Sequence, residues 1–183
     1  MGASAWSWQV PYQQDLGGAL QQARREAYAR GSFYREEPNR QARSMGEEDY
    51  VAWELAEIRK SVVDAFGDDG WEPDDTMSRE AWRAAQIEVT GPDSLLASQP
   101  FSGTHSIIDM TGVSATAAPR MVAPVPAEEL DELFGARRPA ATAVAEAIEN
   151  GALTGLERWH GRYVIGYDGD VPHAIYFVGY SGD

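Results

Sequence analysis

"GRYVIGYDGDVPHAIYFVGYSG", residues 161–182, is the stretch that decides the fold. Two runs of aromatic and β-branched residues flank the turn-rich segment 168–172, the pattern of two strands folded back as a hairpin. Alternation puts Tyr163, Ile165 and Tyr167 on one face of the first strand. Tyr176, Val178 and Tyr180 share a face of the second. Such tyrosine rows serve either as core beneath helices or as a recognition surface with polar tips.

Working outward, "SAWSWQVPY" (4–12) reads as a strand that ends at Pro11. Asp15 is placed to cap a helix with Leu16, Ala19, Leu20, Ala23 and Ala27 at helical spacing and Gly31 as its stop. "RREAYAR" (24–30) reads as that helix's solvated face. "REEPNRQARSMG" (35–46) is polar and aperiodic, hence a loop. A second helix spans about Glu47 to Phe66, with acids in its first turn and Val51, Leu55, Ile58 and Val62 as its buried stripe. "GDDGWEPDD" (67–75) reads as an acidic connector carrying Trp71; its spacing is not that of an EF-hand loop. A third helix opens near Ser78 and stops before "VTGP", and "PDSLLAS" (92–98) makes one short helical turn. "SGTHSIIDM" (102–110) and "APRMVAPVP" (118–126) read as short strands. Two further helices follow, one from Pro126 to Gly135 and one from near Pro139 to Asn150-Gly151. The expected fold is α+β: a mainly antiparallel sheet with a C-terminal β-hairpin, packed by four to five helices. The expected organisation is a single domain over 1–183, with mobile loops near 35–46 and 67–77.

Composition narrows the function. The chain has 183 residues with 43% apolar residues, six Trp and eight Tyr, enough for a sizeable core. It has no cysteine, which excludes disulfides, thiolate metal sites and a cysteine nucleophile. No basic-then-apolar leader and no long apolar span are present, so a cytoplasmic setting is expected. Net charge is −14, and residues 61–183 hold twenty acids against seven bases. That balance disfavours nucleic acid and anionic membranes, and it favours a basic protein partner.

Chemistry-bearing residues are few. His105 and Asp109 stand four apart; on a strand that is ~13 Å, too far for a direct hydrogen bond. Each would need a partner from elsewhere to act in catalysis. "SGTHS" is not a nucleophile elbow, and no phosphate-binding loop is present. His105, His160 and His173 have no metal-ligand spacing, so neither a metal nor a cofactor is expected.

Three pieces, "SWQVPYQQDLGGAL", "GTHSIIDM" and "GRY" with "AIYFVGYSGD", resemble a group of small acidic actinobacterial proteins that carry no assigned function. The likeness leaves out residues 35–100. It implies a shared fold and a bacterial cytoplasmic setting, and it brings no catalytic residue.

The leading functional expectation is a protein-binding module with an acidic, aromatic-bearing surface. Its most concrete form is a toxin-neutralising immunity protein, with Trp71, Asp74, Asp75 and Tyr180 as contacts. The alternatives are a small enzyme or ligand binder with a cleft where His105 and Asp109 meet the C-terminal strands, and a DNA mimic. The sequence leaves the oligomeric state open.

Overall fold

The computed structural model describes residues 4–67, 73–153 and 156–182. Along the chain run β1 (Ala5–Pro11), α1 (Leu16–Arg30), α2 (Arg40–Ser44), α3 (Glu47–Phe66), α4 (Thr76–Ala85), α5 (Pro92–Ala97), a 3-10 turn (Ile107–Asp109), β2 (Gly112–Val113), β3 (Met121–Pro124), α6 (Ala127–Phe134), α7 (Ala141–Glu149), β4 (Gly161–Asp168) and β5 (Val171–Tyr180). Among the described residues no helix is long and apolar enough to cross a membrane. The chain divides into two compact units, one from residues 1–35 with 101–183 and the other from 36–100.

The first unit holds the sheet, in the order β1-β5-β4-β3-β2. β5 pairs antiparallel with both β1 and β4, as the hairpin pattern requires. β3 pairs parallel with β4, and β2 parallel with β3. The sheet is therefore mixed, not mainly antiparallel. The reason lies in the connections: α6 and α7 intervene between β3 and β4, and a helical crossover returns the chain in the same direction. Helix number also departs from expectation. Seven α-helices are described, but only α1, α6 and α7 belong to the unit that holds the sheet.

α1 begins where Asp15 accepts a hydrogen bond from Gly18 N, and it ends at Gly31 in the left-handed region. Its buried residues are Ala19, Leu20, Ala23, Arg24 and Ala27. Arg24 is thus not on a solvated face. Its Nε donates to the Ile108 carbonyl at 3.2 Å and its Nη1 to Gln21 at 2.8 Å, tying α1 to the 3-10 turn. The opposite face of the sheet packs against α7, in a core that contains Val144, Leu153, Val164, Ala174, Tyr176 and Val178.

The hairpin register sets Tyr163 opposite Phe177 and Val164 opposite Tyr176. Cross-strand partners share a face, so Tyr163 lies on the face away from Tyr176. Tyr176 is buried and its hydroxyl donates to the Ala141 carbonyl at 3.0 Å. Burial raises the phenol pKa of both tyrosines above the ordinary value.

A glycine row carries Trp6. Its partner in register is Gly179, which itself faces Gly161 on β4. A Cβ at Gly179 would overlap the Trp6 ring, and one at Gly161 would meet Val122, Met110 and Trp6. The two glycines leave the trough in which the indole lies.

Among its described residues the regular structure of the second unit is helical, α2 to α5. α2 occupies 40–44, inside the stretch expected to be a loop. Tyr50 and Ala42 are fully buried, with Val51 and Ala85 beside them. Polar bonds close the same junction: Trp82 Nε1 to the Met45 carbonyl at 3.1 Å, Gln86 Nε2 to the Ala42 carbonyl at 2.7 Å, and Arg43 Nε to the Ala85 carbonyl at 3.1 Å. At the base of the unit Glu36 N donates to Gln99 Oε1 at 2.7 Å, so its two ends meet.

α3 departs from its expected pattern. Of the stripe Val51, Leu55, Ile58 and Val62, only Val51 is buried. Leu55 and Val62 are half-buried, and Ile58 is exposed. The helix period was right, but among the described residues the second half of α3 is only partly covered.

Gly179→Ala is expected to lower stability by about 1–3 kcal/mol through overpacking against Trp6. Thermal unfolding of that variant and of Gly179→Ala with Trp6→Ala checks this. The added methyl should cost distinctly less once the indole is gone, and equal costs in both backgrounds would refute the trough.

Candidate functional site

The segment 102–110 is not a strand. Gly103 adopts φ +67° and His105 φ +52°, both in the left-handed region, and Ile107–Asp109 form the 3-10 turn. Ser106 caps that turn, its Oγ accepting from Ile108 N at 3.2 Å. "SIID" is a Ser-x-x-Asp capping pattern, so the signal for a turn was present in the sequence. The isoleucines had pointed to a strand, but both are buried from within the turn.

Asp109 is fully buried and fully engaged. Oδ1 accepts from Thr104 N at 2.6 Å and from Thr104 Oγ1 at 2.9 Å. Oδ2 accepts from Ser181 Oγ at 2.7 Å. Thr104 Oγ1 also lies 2.9 Å from Ser106 Oγ. One carboxylate thus binds the 3-10 turn to the residue that follows β5. Around it, the Trp159 ring packs against Gly103 and Gly182, where a Cβ at either would overlap the indole. The Arg120 guanidinium sits 4.6 Å above the same ring, a cation–π contact. The arrangement closes the C-terminal end of the sheet unit.

His105 does not pair with Asp109. Its ring stacks on Tyr34 at 4.7 Å between centroids, and its Nδ1 lies 3.3 Å from Ser4 Oγ. Among the described residues its buried Nε2 has no hydrogen-bond partner. Because both oxygens of Asp109 serve Thr104 and Ser181, that carboxylate is not placed to orient the imidazole as a catalytic base. Asp109 anchors the fold, and His105 is an aromatic packing element with one sheltered nitrogen.

The expected partner contacts fall in different places. Trp71 lies outside the described residues. Asp74 is exposed and accepts from Thr76 N at 2.9 Å and Thr76 Oγ1 at 2.7 Å, which hold its carboxyl below the ordinary pKa. Asp75 is half-buried and takes Arg79 Nε at 2.8 Å. Arg79 also forks onto Glu48 at 2.7 and 3.1 Å, which lowers the Glu48 pKa, and Arg83 reaches Glu47 at 3.0 Å. Both aspartates therefore help to seat the start of α4. Tyr180 is half-buried and borders a cavity of about 150 Å³ with Ala5, Trp6, Ile148 and Leu153. Among the described residues no three His, Asp or Glu side chains gather as a metal site.

What composition alone had hidden is where the charge sits. Residues 36–100 hold sixteen acids and six bases, a net of −10 of the whole chain's −14. The sheet unit, with thirteen acids and nine bases, carries the remaining −4. The helical unit is thus the acidic one.

No family model, curated protein or solved structure matches the chain.

Two outcomes follow from these geometries. Asp109→Ala strands a buried Thr104 N–H and should cost about 3 kcal/mol or more, with Ser181→Ala costing less than that. Urea unfolding reads both, and near-neutral effects would show that the carboxylate does not hold this end of the sheet. In the helical unit, Tyr50 Oη donates to Glu54 at 2.7 Å, and burial and that carboxylate together raise its pKa. The folded value is above the unfolded one, so this contribution is full below about pH 10 and fades as pH rises further. Tyr50→Phe should flatten the alkaline fall in stability above about pH 10, measured by denaturant titration at each pH.

Proposed function

We propose that this protein is a protein-binding module whose acidic helical unit, residues 36–100, meets a basic partner. The observation that carries the reading is the concentration of charge, −10 within that one unit. A compact body of one sign steers a cationic partner at long range and discriminates against acidic ones. The sheet unit supports the reading in a different way. Its buried carboxylate is taken up by hydrogen bonds to Thr104 and Ser181, and His105 is stacked on Tyr34. A toxin-neutralising immunity protein is one concrete form of such a module, since that role needs a complementary acidic surface and no catalytic group.

The test uses the full chain as bait in lysate of its own organism. It is compared with a variant carrying Glu57→Gln, Asp64→Asn, Asp74→Asn and Asp75→Asn, at low and moderate salt. One basic protein held in stoichiometric amount by the wild type, lost on the variant and loosened by salt, is the expected result. Retention that is equal on both baits, or no retained basic protein, would reject the acidic unit as the binding surface.

A further inference from the structure

β1 is an edge strand whose outer side is unused. Where it meets β5, Ser181 N donates to the Ser4 carbonyl at 3.0 Å and Tyr12 N to the His173 carbonyl at 3.0 Å. The antiparallel register runs unbroken between them. In such a ladder a residue directs its N–H and its C=O to the same side, and successive residues alternate. Trp6, Trp8 and Val10 therefore bond to β5. Ala5, Ser7 and Gln9 turn both backbone groups outward, and among the described residues nothing takes them. Pro11 ends the row, at a position whose N–H would also have faced outward.

The space outside this row is open. Ala5, Ser7 and Gln9 are all exposed. A cavity of about 150 Å³ lies beside Ala5, Trp6 and Ser7, and one of about 520 Å³ lies beside Ser7 to Pro11. Proteins guard a sheet edge by brevity, by charge or by a bulge. β2, at the other edge, is two residues long. β1 has seven residues, none of them charged. A row of outward donors and acceptors of that length is matched by another strand.

Charge and symmetry say whose strand it is. β1 offers no carboxylate to select a cationic partner, and the acids are concentrated in the helical unit. Two copies meet at β1 with no like charges opposed on the strands. The outward residues are symmetric about Ser7. A two-fold axis at that residue pairs Ser7 with Ser7 and Ala5 with Gln9, each pair exchanging two hydrogen bonds, about six in all. The same register sets Trp6 across from the second copy's Trp8, aromatic opposite aromatic. Such pairing is closed: it consumes the long free edge of both copies and makes one sheet of two.

We propose that the outer edge of β1 is a homodimer interface, where two copies pair antiparallel about Ser7 and join their sheets. The inference stands apart from the acidic-module reading, because it uses a different unit and an uncharged strand.

The test sediments the full chain over a range of concentrations and reads amide hydrogen exchange of the same samples by NMR. The wild type should be a dimer when concentrated. Its Ala5, Ser7 and Gln9 amides should then exchange at least about tenfold more slowly than after dilution to monomer. Ser7→Lys sets two cations face to face at the axis and should weaken dimerisation at least about tenfold, although it reduces the net repulsion between two acidic chains. Ser7→Thr should keep the dimer. An unchanged unfolding midpoint of dilute Ser7→Lys shows that its fold is intact, and the exchange of the wild type needs no variant at all. A chain that stays monomeric at millimolar concentration overturns the proposal. So does a dimer that Ser7→Lys leaves intact, or one in which the three amides exchange as fast as in the monomer. Protection of those amides only when a basic protein is bound would give the edge to that protein's strand and overturn the second copy.

Discussion

A buried carboxylate is tolerable only when its oxygens are hydrogen-bonded, and Asp109 meets that condition with three donors. Much of the sheet unit depends on it. Thr104 must present both its amide and its hydroxyl, so Gly103 and His105 take left-handed backbone on either side. Ser181 must reach inward, which fixes where the chain goes after β5. With the turn held, the Ile108 carbonyl is placed to receive Arg24, and α1 is anchored. Trp159 then seals the assembly over two glycines. A polar centre specifies this packing, where an apolar core alone would tolerate several arrangements.

The two units solve stability by different means. The sheet unit interleaves large rings with glycines: Trp6 over Gly179 and Gly161, Trp159 over Gly103 and Gly182. Such packing is unforgiving of added volume. The helical unit has a small core about Tyr50 and surrounds it with side-chain bonds to backbone carbonyls and with arginine–carboxylate forks. Exposed ion pairs of that kind contribute little each, so its core junction matters most. The end of α3 that lies beyond this junction is where apolar surface is left open.

Local signals were legible in the sequence wherever one residue type has one physical use. Asp15 and Gly31 bounded α1, Gly135 closed α6, and the aromatic runs around Gly169 marked the hairpin. Periodicity also placed α3 from Glu47 to Phe66. What periodicity cannot report is whether a face meets anything, and so Ile58 was counted as core. Direction of pairing was equally out of reach, because β3 and β4 become parallel through the path of α6 and α7 between them. "SIID" held two readings at once, two β-branched residues and a capping pattern, and the buried demands of Asp109 settled it for the turn. Nothing in the spacing of Arg24 distinguished a solvated arginine from one that reaches the Ile108 carbonyl.

Strand order has a consequence for how the chain is made. β1 precedes the other described elements, and among the described strands its neighbour is β5 alone, the last of them, with Ala5 opposite Tyr180. Trp6 and Trp8 therefore have no strand to pair with until β5, Val171–Tyr180, has been synthesised. The helical unit draws its contacts from residues close in sequence, and its ends meet at Glu36 and Gln99. With those ends joined, residues 35 and 101, which flank the unit, are held close together. Closing this unit shortens the effective loop between β1 and β5.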